Sequence, residues 1–151
     1  MRLMTIVFIA MVALTACKKE TETITETVMV DGSQPVGAFT AMSSGTLVEQ
    51  NDTGTMGTVQ LGKDSENTQF IRFSSNFNST FATGTLIVYL STSMNYVADP
   101  GNGNPDLKLV GPITQAGESY LKISPEAGDQ FDHVILWCAS AGVPFGYAAL
   151  N

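Results

Sequence analysis

The sequence predicts an all-β fold: a single β-sandwich or flattened barrel of about seven to nine short, mostly antiparallel strands, behind a signal peptide and a flexible tether. Three observations lead there. From Gly37 onward, apolar residues alternate with polar ones in short runs. Gly, Asn, Asp, Ser and Pro cluster between those runs, where turns are needed. No stretch keeps a 3.6-residue apolar period for three turns, so no amphipathic helix is expected. The expected domain, residues 37–151, is long enough to bury a core without disulfide staples.

In chain order, the N-terminus reads as a leader. Arg2 is a minimal positive region, and LMTIVFIAMVAL is an apolar run of signal-peptide length, too short to cross a bilayer as a mature helix. It ends in LTAC, residues 14–17, a string that resembles the bacterial lipobox, in which cleavage precedes the cysteine. Residues 1–16 are therefore the expected signal peptide, and Cys17 is the expected lipidation site, carrying long acyl chains such as palmitate. An ordinary signal peptide with an incidental Cys17 is the alternative. Each buried methylene contributes about 0.8 kcal/mol, so two or three acyl chains suffice for a durable anchor. The expected partner at this end is the lipid membrane of a bacterial cell envelope. The outer membrane is favoured, with the domain outside the cytoplasm. No second apolar run of about eighteen residues follows, so no spanning helix is expected.

Residues 17–36 read as the lipidated cysteine and its tether. KKETETITETVMVDGSQPV repeats Thr and Glu and has too few apolar residues for a core. As a flexible chain it would span about 20–25 Å. A first strand in TITETVMV is the alternative reading.

The expected strands follow in order: GTLVEQ (45–50), GTVQLG (57–62), QFIRF (69–73), GTLIVYLS (84–91), SYLKIS (119–124), HVILWC (133–138) and FGYAAL (145–150). LIVYL (86–90) and VILWC (134–138) are apolar on both alternating sets, the mark of central strands covered on both faces. In YLKI (120–123), Leu121 and Ile123 point one way, Tyr120 and Lys122 the other.

Charge excludes one class of partner. Removing Arg2 with the leader leaves six Lys and Arg against fourteen Asp and Glu, a net charge of −8. No basic patch exists to hold phosphates, so nucleic acid is not an expected partner. Ligand counting excludes the simple metal centres. Zinc needs four Cys or His ligands and blue copper needs two His and a Cys, yet the chain has one histidine, His133, and two cysteines. The loop DPGNGNPD offers Asp99, Asn102, Asn104 and Asp106 as oxygen ligands for calcium, without the EF-hand spacing. Two proline-containing turns explain its composition equally well. The residues name no cofactor.

Cys138 is the remaining oddity. It ends an apolar strand, beside the only tryptophan, Trp137. His133 lies five residues away, an odd separation that puts it on the opposite face and roughly 16 Å along the strand. The two cannot form a nucleophile–base pair. Cys138 shares a face with Val134 and Leu136, and Trp137 shares the other with Ile135 and His133. No Lys or Arg is near in sequence to activate the thiol, so a buried packing cysteine is one reading. Against it, thiols are a liability in an oxidising envelope unless shielded or used.

The segment GESYLKISPEAGDQFDHVILWCASAGVPFGYAAL resembles the C-terminal half of the electron-transfer DM-thirteen domain. The residues that carry this are Gly117, Tyr120, Trp137, Cys138, Val143, Phe145 and Gly146. SSGTLVEQ, FIRFSSNF and LIVYLS follow the order of the family's N-terminal half, so the similarity spans about residues 38–150. The resemblance implies a β-sandwich and a redox role for Cys138, with Trp137, Phe145 and Gly146 as its neighbours. Two departures are visible. ATGTL stands where members often have Gly-Pro-Asp-Leu, so no acidic residue lies near Thr85, and Ala141 stands where an aromatic is common. Both changes enlarge or neutralise the expected surroundings of the thiol.

Two functions follow. One is a membrane-anchored lipoprotein with a redox or electron-transfer accessory role at Cys138, working with a protein redox partner. The other is a non-enzymatic binding or cell-envelope architecture module in which Cys138 only packs. A hydrolytic or transferase enzyme is not expected from one histidine.

Overall fold

The computed structural model describes residues 32–82, 84–97 and 104–151. The expected leader, Cys17 and the expected tether up to residue 31 lie outside the described residues, as do Asp99 and Asn102. Nine strands form the domain: β1 Thr40–Thr46, β2 Val48–Glu49, β3 Thr58–Lys63, β4 Gln69–Phe73, β5 Leu86–Ser91, β6 Leu107–Pro112, β7 Ser119–Lys122, β8 His133–Cys138 and β9 Val143–Ala149. They make a four-stranded sheet, β1-β3-β4-β7, and a five-stranded sheet, β2-β9-β8-β5-β6. All strand pairs are antiparallel. This is the expected all-β sandwich, and not the flattened barrel. Backbone bonds between Ser44 and Asn151 bring the two sheets together at one edge.

The expected strand GTLVEQ is divided. Its first residues end β1 in one sheet, and Val48–Glu49 pair with Tyr147 and Gly146 in the other. Leu47 is the buried residue at the crossing. Two strands were not expected. β1 is largely exposed, so its sequence TAMSSGT carries no apolar alternation. β6, LKLVGP, is an edge strand whose Gly and Pro obscure it.

Alternation dictates what the sandwich buries. β5 contributes Leu86, Val88 and Leu90 to the core, and β8 contributes Val134, Leu136 and Cys138. Val59, Leu61, Ile71, Phe73 and Phe77 meet them from the four-stranded side. β5 and β8 lie inside their sheet, as the double apolar pattern predicted, but among the described residues no further sheet covers its outer face. There Ile87, Tyr89 and Trp137 are half-buried, and Ile135 is buried. In β7, Leu121 packs on the core and Lys122 is exposed, as its pattern predicted.

The described chain starts with a latch. Asp64 accepts hydrogen bonds from the backbone N–H groups of Val36, Glu66 and Thr68, each at 2.9 Å. The bond from Val36, first, then those from Thr68 and Glu66 and the charge of Lys122, hold its carboxyl below the usual aspartate range; burial opposes them. The last residue of the expected tether is thereby fixed to the β3–β4 turn. Among the described residues no helix is long and apolar enough to cross a membrane.

Candidate functional site

The register of β5, β8 and β9 places Cys138. It pairs with Leu86 on one side and Val143 on the other, so its side chain enters the sandwich at one end of the core. Its relative exposure is 0%. The inner face also holds Val134 and Leu136, while Trp137 and His133 lie on the outer face. His133 Nδ1 is 2.6 Å from Asp132 Oδ1 and faces away from the sulfur.

Two hydroxyls approach Sγ, and neither was expected from sequence. Ser140 Oγ lies at 3.4 Å and Thr85 Oγ1 at 3.9 Å. Thr85 and Ser140 are also tied to each other. Thr85 Oγ1 donates to Ser140 Oγ at 2.8 Å, and the backbone N–H of Ser140 donates back to Thr85 Oγ1 at 3.1 Å. Two backbone bonds hold this arrangement: Ala139 N–H to Thr85 C=O at 3.1 Å, and Gly142 N–H to Cys138 C=O at 2.9 Å. The second closes the turn after β8. Gly142 ends that turn with φ of +68°, where a side chain would be strained. The sulfur therefore sits one layer below a short turn, under exposed Ala139 and Ser140. Thr85 marks the place where the sequence departs from the family's acidic residue, which was the available signal. Ser140 gave none.

Phe145 and Gly146 are built into an irregularity. Between Leu136 and Trp137 the β8–β9 register shifts, because Leu136 faces Gly146 and Trp137 faces Pro144. Phe145 is the extra residue of this bulge and turns into the core. Its carbonyl accepts from Thr53 Oγ1 at 2.8 Å and from Gln50 N–H at 3.0 Å. Thr53, Thr55 and Ser79 form a buried chain of hydroxyls behind it, with spacings of 2.9 and 2.8 Å. Gly146 is required by this close approach: a Cβ there would stand 2.7 Å from Val48 O and 2.8 Å from Thr55 Cγ2.

Trp137 has a different set of neighbours. Its ring is stacked on Tyr96, with centroids 3.9 Å apart and planes at 18°. Tyr96 meets Tyr89 edge-on at 5.1 Å and 62°. Burial, then the hydrogen bond to Tyr96 and its charge, push the Tyr89 hydroxyl up to about 12. Tyr96 comes from the loop after β5, and sequence spacing gave no hint of the stack.

The remaining polar groups do not gather into a metal centre. No group of three or more His, Cys, Asp or Glu among the described residues could hold a metal ion. Asn104 and Asp106 serve their own turn: Asn104 Oδ1 accepts from Asp106 N–H at 2.8 Å, and Thr92 Oγ1 donates to Asp106 Oδ1 at 3.1 Å. Grooves open elsewhere, one of about 390 Å³ beside Ser119 and Tyr120 and one of about 440 Å³ beside Ser44 and Asn151. Neither is lined by Cys138.

The family model for electron transfer DM13 matches residues 46–150, from the end of β1 through β9 and across Cys138 and its turn. No curated protein and no solved structure matches the chain. The chain belongs to the electron transfer DM13 family.

Proposed function

We propose that the domain is an electron-transfer accessory module whose redox-active atom is Cys138 Sγ, held at a bacterial envelope membrane by acylated Cys17 and serving a thiol-bearing protein partner. The observation that carries this reading is Ser140 Oγ at 3.4 Å from a fully buried sulfur, with Thr85 Oγ1, which donates to Ser140, at 3.9 Å. A sulfur that only fills space needs no polar company. Ser140 Oγ, which accepts from Thr85, keeps its own proton to donate to an oxygen formed on the sulfur.

The chemistry needs a hydroperoxide and a partner thiol. Attack of the thiolate on the peroxide breaks the O–O bond and releases water or an alcohol, leaving a sulfenic acid on Cys138. A partner thiol then displaces the hydroxyl as water and forms a mixed disulfide. A second thiol on the partner then displaces Cys138 as its thiolate and leaves a disulfide on the partner, which receives two oxidising equivalents in this way. Treating the native Cys17→Ser chain with hydrogen peroxide in the presence of a dimedone-type trap should label Cys138 at one site. A native protein that gives no adduct, and no mixed disulfide with a small thiol, would overturn the proposal.

A second reading has its own observation. Complete burial of the sulfur favours a binding or architecture module in which Cys138 only packs. That reading requires a stable Cys138→Ser chain to keep every function of the parent.

A further inference from the structure

We infer that the outer face of the five-stranded sheet carries a second redox-active centre, in which Trp137 passes a single oxidising equivalent from a high-potential, outer-sphere one-electron oxidant to Tyr96. This centre is separate from Cys138. Trp137 is its chain neighbour, but alternation along β8 puts the indole and the sulfur on opposite faces of the sheet. The two centres also differ in chemistry, one moving single electrons and the other oxygen and electron pairs.

The geometry is that of a short conduit. Rings at 3.9 Å and 18° are in van der Waals contact over their faces, so electron exchange between Trp137 and Tyr96 crosses no gap. Their register is fixed from three elements. Trp137 pairs with Ile87 across β5, Tyr89 pairs with Ile135 on the same face, and the loop after β5 returns Tyr96 over both. All three rings are half-buried, which keeps a route for a proton to reach water. Tyr89 meets Tyr96 edge-on at 5.1 Å, and burial favours the protonated form of its hydroxyl.

The step balances as follows. The oxidant gains one electron and Trp137 becomes a radical cation. Tyr96 returns an electron to the indole, its O–H bond breaks, and the proton goes to water. The product is a neutral tyrosyl radical on Tyr96, beside Tyr89, with Trp137 restored. At neutral pH a tyrosine able to shed its proton is the easier of the two rings to oxidise, so the equivalent runs from Trp137 to Tyr96.

Flash-generated tris(bipyridyl)ruthenium(III) is a suitable probe, because the chain is acidic and has one tryptophan and four tyrosines. Transient absorption of the native chain should show the broad tryptophanyl band giving way to the sharp tyrosyl band. In Tyr96→Phe, which keeps the stack, the tryptophanyl band should persist and the tyrosyl band should be lost. In Trp137→Phe the early band should be lost and the tyrosyl yield should fall. A tyrosyl signal unchanged in Tyr96→Phe would place it on Tyr89, Tyr120 or Tyr147 and overturn the inference. So would a native tryptophanyl radical that decays with no tyrosyl rise. Cys138→Ala should leave the transfer intact. Its loss there would merge the two centres and contradict the inference, whereas failure of peroxide trapping at Cys138 leaves it standing.

Discussion

Thr85→Val tests what the hydroxyl pair does. Valine keeps the branched shape and removes Oγ1, which donates to Ser140 Oγ and accepts from Ser140 N–H. Both bonds are exposed, and each contributes about 0.5–1 kcal/mol. Losing both weakens the turn over Cys138 by about 1–2 kcal/mol. A tenfold change in an equilibrium corresponds to about 1.4 kcal/mol, so the open form of the turn rises about 5- to 30-fold. The assay is the pseudo-first-order rate at which iodoacetamide modifies Cys138 at fixed pH, in a Cys17→Ser background where it is the remaining thiol. The rate should rise by that factor while urea titration shows a loss of about 1–2 kcal/mol. A rate within about twofold of the parent, with that same loss of stability, would refute the reasoning. The pair would then support the fold without gating the sulfur.

Cys138→Ala removes a fully buried sulfur and should cost about 1–3 kcal/mol in urea unfolding; a loss under about 0.5 kcal/mol would contradict the packing described. Gly146→Ala forces a methyl against Val48 O and Thr55 Cγ2 and should cost about 1–3 kcal/mol, so a neutral outcome would contradict the bulge geometry. Asp64 titrates lower folded than unfolded, so its stabilisation is complete above about pH 4 and is lost as pH falls through the folded value. Asp64→Asn should therefore be less stable than the parent at pH 7, with the difference shrinking in acid; a difference independent of pH would place its role outside the carboxylate.

The strands that were legible are those whose apolar residues serve the core. LIVYL and VILWC declared themselves as interior strands because both of their faces are apolar; alternation put Cys138 and Trp137 on opposite faces, and the structure shows which one meets the core. β1 and β6 were silent for the same physical reason: edge and exposed strands bury little, so their sequences keep no period. The division of GTLVEQ between two sheets was equally hidden, since a crossing at Leu47 needs only one buried residue. The site was half legible. Cys138 stood out by its rarity, and the ATGTL departure pointed at Thr85. The contact itself depends on the Leu86–Cys138 register, which brings Thr85 to Cys138 from 53 positions away. Ser140 and Tyr96 belong to a turn and a loop, where partners follow from tertiary geometry and not from a local pattern.

The most direct test of the reading at Cys138 is whether the sulfur is reached without unfolding the domain. The measurement is the iodoacetamide rate at Cys138 in the native Cys17→Ser chain, across urea concentrations below the unfolding transition. Opening of the 139–142 turn exposes little surface, so the expected rate is nearly independent of urea at low concentration. It should correspond to an opening free energy well below that of global unfolding. A rate that follows the global unfolding line from the lowest urea concentration would contradict a redox role and leave Cys138 as a core residue.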